Sequence, residues 1–147
     1  MGWTPISHEF RRALYRTILE YLAVVLPIGI YLIIESLHAG NVSPLTSSPE
    51  WNIGTVFLVV QGQLLYRENL EESGRRVSST KSGIASLLAL VVIVLAIANA
   101  QMGLEADSNA LVVCRWLLLV FSSGLFFVYV SGSRLLTAQR GAKWEPR

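Results

Sequence analysis

The chain has 147 residues, of which 52% are hydrophobic and only 15% charged, a balance that sets it apart from soluble proteins and points to one integral membrane domain. Its formal net charge of +2 is too small to suggest direct binding of nucleic acid. Cys114 is the single cysteine, which excludes an internal disulfide, and His8 and His38 lack ligand-like spacing, so no metal or other cofactor is expected.

Residues 3–16 read as an amphipathic lead-in at a membrane surface, with Phe10 and Leu14 on one side and Arg12 and Arg16 within reach of lipid phosphates. A first span follows over about 17–37. It carries Glu20 and lacks a small residue three places before a cut at Ala39, which argues against a cleaved leader. Pro27 falls at its middle and removes one backbone donor, so a kink is expected there, a possible hinge of the bundle. Glu20 lies near one end, one turn after Arg16, and the two are expected to pair at the inner boundary.

Residues 38–50 are rich in Ser, Pro and Asn and hold no Lys or Arg, the composition of an outside loop. Ser48-Pro49-Glu50 then gives a helix start, with a capping hydroxyl and proline in the first turn. The second span covers about 51–68 and continues as helix to Glu72, where Ser73-Gly74 stops it. The polar segment 67–82 holds Arg67, Arg75, Arg76 and Lys81. It superficially resembles a phosphate cradle, but the residue before Lys81 is Thr80 rather than glycine, and no strand precedes it.

The third span, about 83–104, has no charged side chain before Glu105; the uncharged run Ser82 to Leu104 would make a helix about 34 Å long, enough to cross a hydrocarbon core of about 30 Å. A tight turn with Glu105 and Asp107 leads to the fourth span, about 109–130, capped by Asp107 or Ser108 and containing Arg115. The tail, 131–147, forms a short basic helix from Arg134 to Arg140 that ends at Gly141 and is followed by Lys143.

Eleven of the twelve Lys and Arg residues fall in the amino-terminal segment, the 67–82 loop or the tail, and both opposite loops have none. By the positive-inside rule both termini face the cytosol, most naturally across a bacterial cytoplasmic membrane. The expected architecture is therefore an all-α, left-handed bundle of four transmembrane helices.

Each span has two faces. On the third, Ala85, Ala89, Val92, Ala96, Asn99 and Gly103 recur at alternating steps of four and three, the spacing of a close helix-packing face, inside the bundle or at a seam between subunits of a homo-oligomer. Arg115 lies about two turns into the fourth span, where an unpaired guanidinium costs a few kcal/mol, so a partner is required. Glu35, at similar depth on the first span, is the first choice, as an ion pair or a gate, with Glu105 and Asp107 as alternatives. Gln61, Gln63, Ser122 and Ser123 are the residues that would line a narrow polar path.

No catalytic set is recognisable, and the protein is expected not to be an enzyme. Four short spans in a small chain resemble the small multidrug-resistance transporters, whose working element is a glutamate at the middle of the first helix; Pro27 and Gly29 stand there in this chain, and that site is not carried over. In size and topology the chain also resembles the membrane subunits of bacterial antiphage defence systems, including the four-span subunit of Kiwa, a likeness of architecture that transfers no residue. Three functions are expected in order: a non-enzymatic membrane subunit of a homo-oligomer that anchors or signals to a cytosolic protein partner in a bacterial defence or stress system; an oligomeric pore or membrane-disrupting effector; and a small coupled transporter. The surface for a partner or for anionic lipid head groups is Arg67, Arg75, Arg76, Lys81, Arg134, Arg140 and Lys143.

Overall fold

The computed structural model describes residues 5–72, 79–105 and 108–141, with side chains over 10–72, 83–103 and 108–135. Five helices follow in order: α1 (Pro5–Ala39), α2 (Ser43–Ser47), α3 (Trp51–Glu72), α4 (Ser79–Glu105) and α5 (Asn109–Gly141). Three stretches are long and apolar enough to cross a membrane, namely Phe10–Ala39, Gly83–Gly103 and Asn109–Leu135. The chain is a small helical membrane protein.

The lead-in and first span expected at 3–16 and 17–37 merge into one helix of 35 residues that runs through Pro27 without a break in its assignment. The tail likewise continues α5 to Gly141 instead of forming a separate helix. Ser108 starts α5: its hydroxyl accepts from the Leu111 amide at 3.4 Å and its carbonyl from Leu111 and Val112. Asp107, the other expected cap, lies outside the described residues, as do Ser73 and Gly74.

The outside loop holds a helix not anticipated from its composition. Ser43–Ser47 makes a five-residue α2 with proline in its first turn, and the Asn41 side chain accepts from the Ser43 amide at 2.9 Å. Gly40, at φ +65°, turns the chain from α1 toward it. Ser48 meets the first amide of α3 with its carbonyl, at 3.5 Å from Trp51 N, and not with the capping hydroxyl expected. Its hydroxyl donates to the Glu50 carboxylate, and the chain winds into α3 through turn hydrogen bonds from Asn52 to Pro49 and from Ile53 to Glu50, both 2.9 Å.

The second expected span, α3, is not among the three apolar stretches, yet it occupies the centre of the bundle. Its most extensive contact is with α5 and its next with α4, while α1 packs on both α3 and α5. Two glycines of α3 allow the close approach of α5 and of α1. A side-chain carbon at Gly62 would stand 3.2 Å from the Phe126 ring and 3.5 Å from the Phe126 backbone, and one at Gly54 would stand 3.1 Å from Ile28. The main core gathers around them, with Leu32, Trp51, Leu58, Leu119, Phe126 and Val130. Val59, Ala89 and Val92 form a second cluster between α3 and α4.

The four-three face of α4 is buried in this packing. Ala85, Ala89, Val92, Ala96 and Asn99 are all enclosed, and Leu87, Leu90, Val94 and Ile97 face outward. From Ala85 to Asn99 the face packs within one chain, and Gly103 at its end is half-buried.

Overpacking a tight core costs about 1–3 kcal/mol. Gly62→Val is therefore expected to lower stability by that amount in unfolding titrations in micelles. Gly124→Val, on the same bundle but with nothing within 4 Å of a built side-chain carbon, is expected to change it little.

Candidate functional site

The two ends of the bundle differ in kind. At one end α1 and α4 begin and α3 and α5 finish; Arg11, Arg12, Arg16, Arg67 and Arg134 all belong to it, and it is called the basic end below. The other end carries α2.

At the α2 end, Arg115 on α5 is 1% exposed. Its guanidinium spreads in three directions. Nη1 donates to the Ser47 carbonyl of α2, Nε donates to Asn99 Oδ1 of α4 at 3.4 Å, and Nη2 is buried with no hydrogen-bond partner among the described residues. Asn99 is the hub. Its Oδ1 also accepts from Asn52 Nδ2 of α3 at 3.1 Å, and its Nδ2 donates to the Leu111 carbonyl of α5 at 3.1 Å. Asn52 itself is 2% exposed, and its Oδ1 has no partner among the described residues.

Helix α2 is held over this network by donors from both central helices. Trp51 Nε1 reaches the Leu45 carbonyl at 2.8 Å and Trp116 Nε1 the Thr46 carbonyl at 3.0 Å, with the Arg115 contact to Ser47 as the third. Three successive carbonyls at the end of a helix, which lack partners within it, are thus each taken by a side chain. The two indoles also meet at a tilt of 43°, their centroids 5.5 Å apart.

Glu35, the partner expected for Arg115, is not paired with it. Its Oε2 is buried without a hydrogen-bond partner among the described residues, as is Ser36 Oγ. The guanidinium instead finds neutral acceptors that the polar loop and α4 bring to it. The side chain of Glu105 and all of Asp107 lie outside the described residues. Gly103 takes part by having no side chain: a carbon built on it would stand 2.8 Å from Arg115 Nη2.

At the basic end, Glu20 pairs with Arg134 of α5 at 2.5 Å, and the expected partner Arg16 is exposed. Arg134 Nη1 also donates to Thr17 Oγ1 at 3.1 Å, Ser131 does so at 3.4 Å, and Thr17 donates onward to the Ala13 carbonyl at 2.9 Å. Deeper in the bundle Tyr21 OH meets Ser123 Oγ at 3.1 Å. Further out, Tyr66 and Tyr129 stack at 5.4 Å, Asn69 donates to Ser133 at 3.0 Å and Leu70 is buried.

The residues read as a pore lining are spent on local bonds. Gln63 donates to the Ala85 carbonyl at 3.0 Å, and Ser122 and Ser123 donate to the Leu119 carbonyl at 2.9 and 2.7 Å. Gln61 is half-buried on α3. The crevice among Leu58, Gly62, Ala89 and Phe126, which neither these glutamines nor these serines line, has no room for a water molecule. Arg67 donates to Ser86 Oγ at 3.4 Å. Arg75, Arg76 and Lys143 lie outside the described residues; Lys81 is in α4 and Arg140 in α5, with side chains outside the described set. No three His, Cys, Asp or Glu side chains among the described residues are placed to hold a metal ion.

Losing a buried hydrogen-bond partner costs about 1–3 kcal/mol per stranded group, whereas a partly exposed ion pair contributes about 0–1 kcal/mol. Asn99→Leu strands Asn52 Nδ2 and Arg115 Nε, so it is expected to destabilise the bundle more than Glu20→Gln does, read as unfolding free energies in the same micelle. An equal loss would show that the basic-end pair matters as much as the buried hub.

No protein family, curated protein or solved structure matches the chain. What the geometry itself identifies is a small helical membrane protein with a buried polar hub at its α2 end and a part-buried ion pair at the other.

Proposed function

We propose that the chain is a non-enzymatic membrane subunit that crosses the bilayer four times, keeps its basic end in the cytosol and there anchors or signals to a protein partner. The orientation rests on the placement of eleven of the twelve Lys and Arg residues. The fourth crossing is α3, whose 22 residues make about 33 Å of helix and whose polar side chains from Asn52 to Gln63 are buried or half-buried among its neighbours.

The observation that carries the reading is the charged end of α3 past Tyr66, which the Tyr66–Tyr129 ring contact, the Asn69–Ser133 bond and buried Leu70 tie to α5. Arg67, Glu68, Glu71 and Glu72 are exposed on that tied pair, and Arg11, Arg12 and Arg16 are exposed on α1 at the same end. A charged surface on a stiff support suits recognition, because little side-chain or backbone freedom is lost when a partner docks.

The test is a mild-detergent pull-down of the tagged chain from its own membrane. The wild type is expected to bring down a stoichiometric cytosolic protein, and replacing residues 67–81 and the tail after Gly141 by Gly-Ser is expected to lose it. Capture that survives the replacement, or a wild-type complex containing this chain alone, would overturn the reading.

A further inference from the structure

We propose that the groove between α3 and α4 holds a phospholipid of the leaflet at the basic end, with its phosphate on the Arg67 guanidinium and one acyl chain along the groove. The inference rests on the membrane reading alone and not on the cytosolic partner. It assigns Arg67 to the lipid and leaves Glu68, Glu71 and Glu72 to the partner.

Charge and apolar wall belong here to one surface. The groove has a volume of about 280 Å³; Val60 and Leu64 of α3 and Leu90 and Ile93 of α4 wall it, and the buried Val59 and Ala89 form its floor. Arg67, Gln63 and Ser86 line the same groove, toward the basic end. Val60 lies seven residues before Arg67 and Ile93 seven residues after Ser86, about 10 Å along either helix. One leaflet is half of a hydrocarbon core of about 30 Å, so the groove fits within it. Polar residues toward the end of the bundle and apolar ones toward its middle follow the order in which a leaflet lipid presents head and chain.

The guanidinium is accessible and lacks a counter-charge. Arg67 is exposed, and it donates to Ser86 Oγ at 3.4 Å, which sets it over the mouth of the groove. No carboxylate among the described residues pairs with it, not even Glu71 one turn further along α3. Ser86 lies three residues inside the apolar stretch Gly83–Gly103, so the guanidinium that reaches it stands at the edge of the hydrocarbon, where lipid phosphates are. Its planar fork of donors fits phosphate oxygens. Gln63, which donates to the Ala85 carbonyl at 3.0 Å, braces the two helices at this depth and keeps the groove formed before a lipid arrives. The larger groove between α4 and α5 has no charged side chain in its lining.

The experiment uses the delipidated, detergent-solubilised chain. Leu64→Cys in a Cys114→Ser background puts one thiol in the groove, while Cys114 of the wild type reports on the α4–α5 flank. Phosphatidylglycerol is expected to slow maleimide labelling of the introduced thiol several-fold, saturably, and to raise the melting temperature. Diacylglycerol with the same chains is expected to do much less, and inorganic phosphate nothing. At Cys114 the two lipids are expected to act alike.

Arg67→Gln, at an exposed position, should erase the difference between the two lipids without lowering the lipid-free melting temperature. Arg16→Gln, which removes an exposed charge at the same end but outside the groove, should keep that difference. Leu90→Trp, which fills the groove from an exposed position, should remove the phosphatidylglycerol effect on melting. Equal protection by diacylglycerol would reduce the site to an ordinary apolar flank and overturn the proposal. So would a difference that survives in Arg67→Gln, one lost equally in Arg16→Gln, or protection reproduced by inorganic phosphate alone. The partner reading is decided separately, by the pull-down.

Discussion

In a hydrocarbon environment every polar group has to be satisfied by protein, because no water is there to do it and each failure costs several kcal/mol. That constraint organises this bundle around α3. Asn52, Thr55 and Gln63 make it the least apolar of the long helices, and it is also the one its neighbours enclose, with α5 on its longest contact. Thr55 returns its hydroxyl to the Trp51 carbonyl, Gln63 spans to α4 and Asn52 spans to Asn99. Gly54 and Gly62 let the apolar helices come close enough to exclude lipid from those bonds. Close packing and polar satisfaction are thus one arrangement seen from two sides.

The two ends meet the same constraint with different chemistry. At the α2 end the acceptors are dipoles, three carbonyls of α2 and the Asn99 amide, packed under indole rings. Salt screens such contacts little. At the basic end the tie is an ion pair in which Glu20 is 33% exposed and Arg134 14%, supported by hydroxyls. Such a pair is open to water and to ions, and it holds α1 to α5 loosely compared with the buried hub. A surface that has to respond to something outside the membrane is better placed at the yielding end, which is consistent with the proposal for the charged extensions.

Features carried by spacing within one helix were legible in the sequence. The alternating four-three run from Ala85 to Asn99 is such a feature, since burial of that face requires only that some helix lie against it. Partner choice was not legible. Arg115 visibly needed partners, but they come from Ser47 and Asn99, and the first of these is presented by a five-residue helix whose one sign is proline after Ser43. Glu20 met Arg134, 114 residues away, where the one-turn rule offered Arg16, because adjacency of α1 and α5 is a property of the whole bundle and no local spacing encodes it. The role of Gly103 was half visible. It fits the stripe of small residues, but what its missing side chain makes room for belongs to α5.

The choice of arginine at 115 follows from the same geometry. Three donors leave its guanidinium in three fixed directions, toward α2, toward Asn99 and toward the flank of α4 at Gly103. A lysine at this position would concentrate its charge at one point and could not hold α2 and Asn99 at once while leaving a donor free. Asn99 extends the reach to α3 through Asn52, so one continuous network joins four helices at this end.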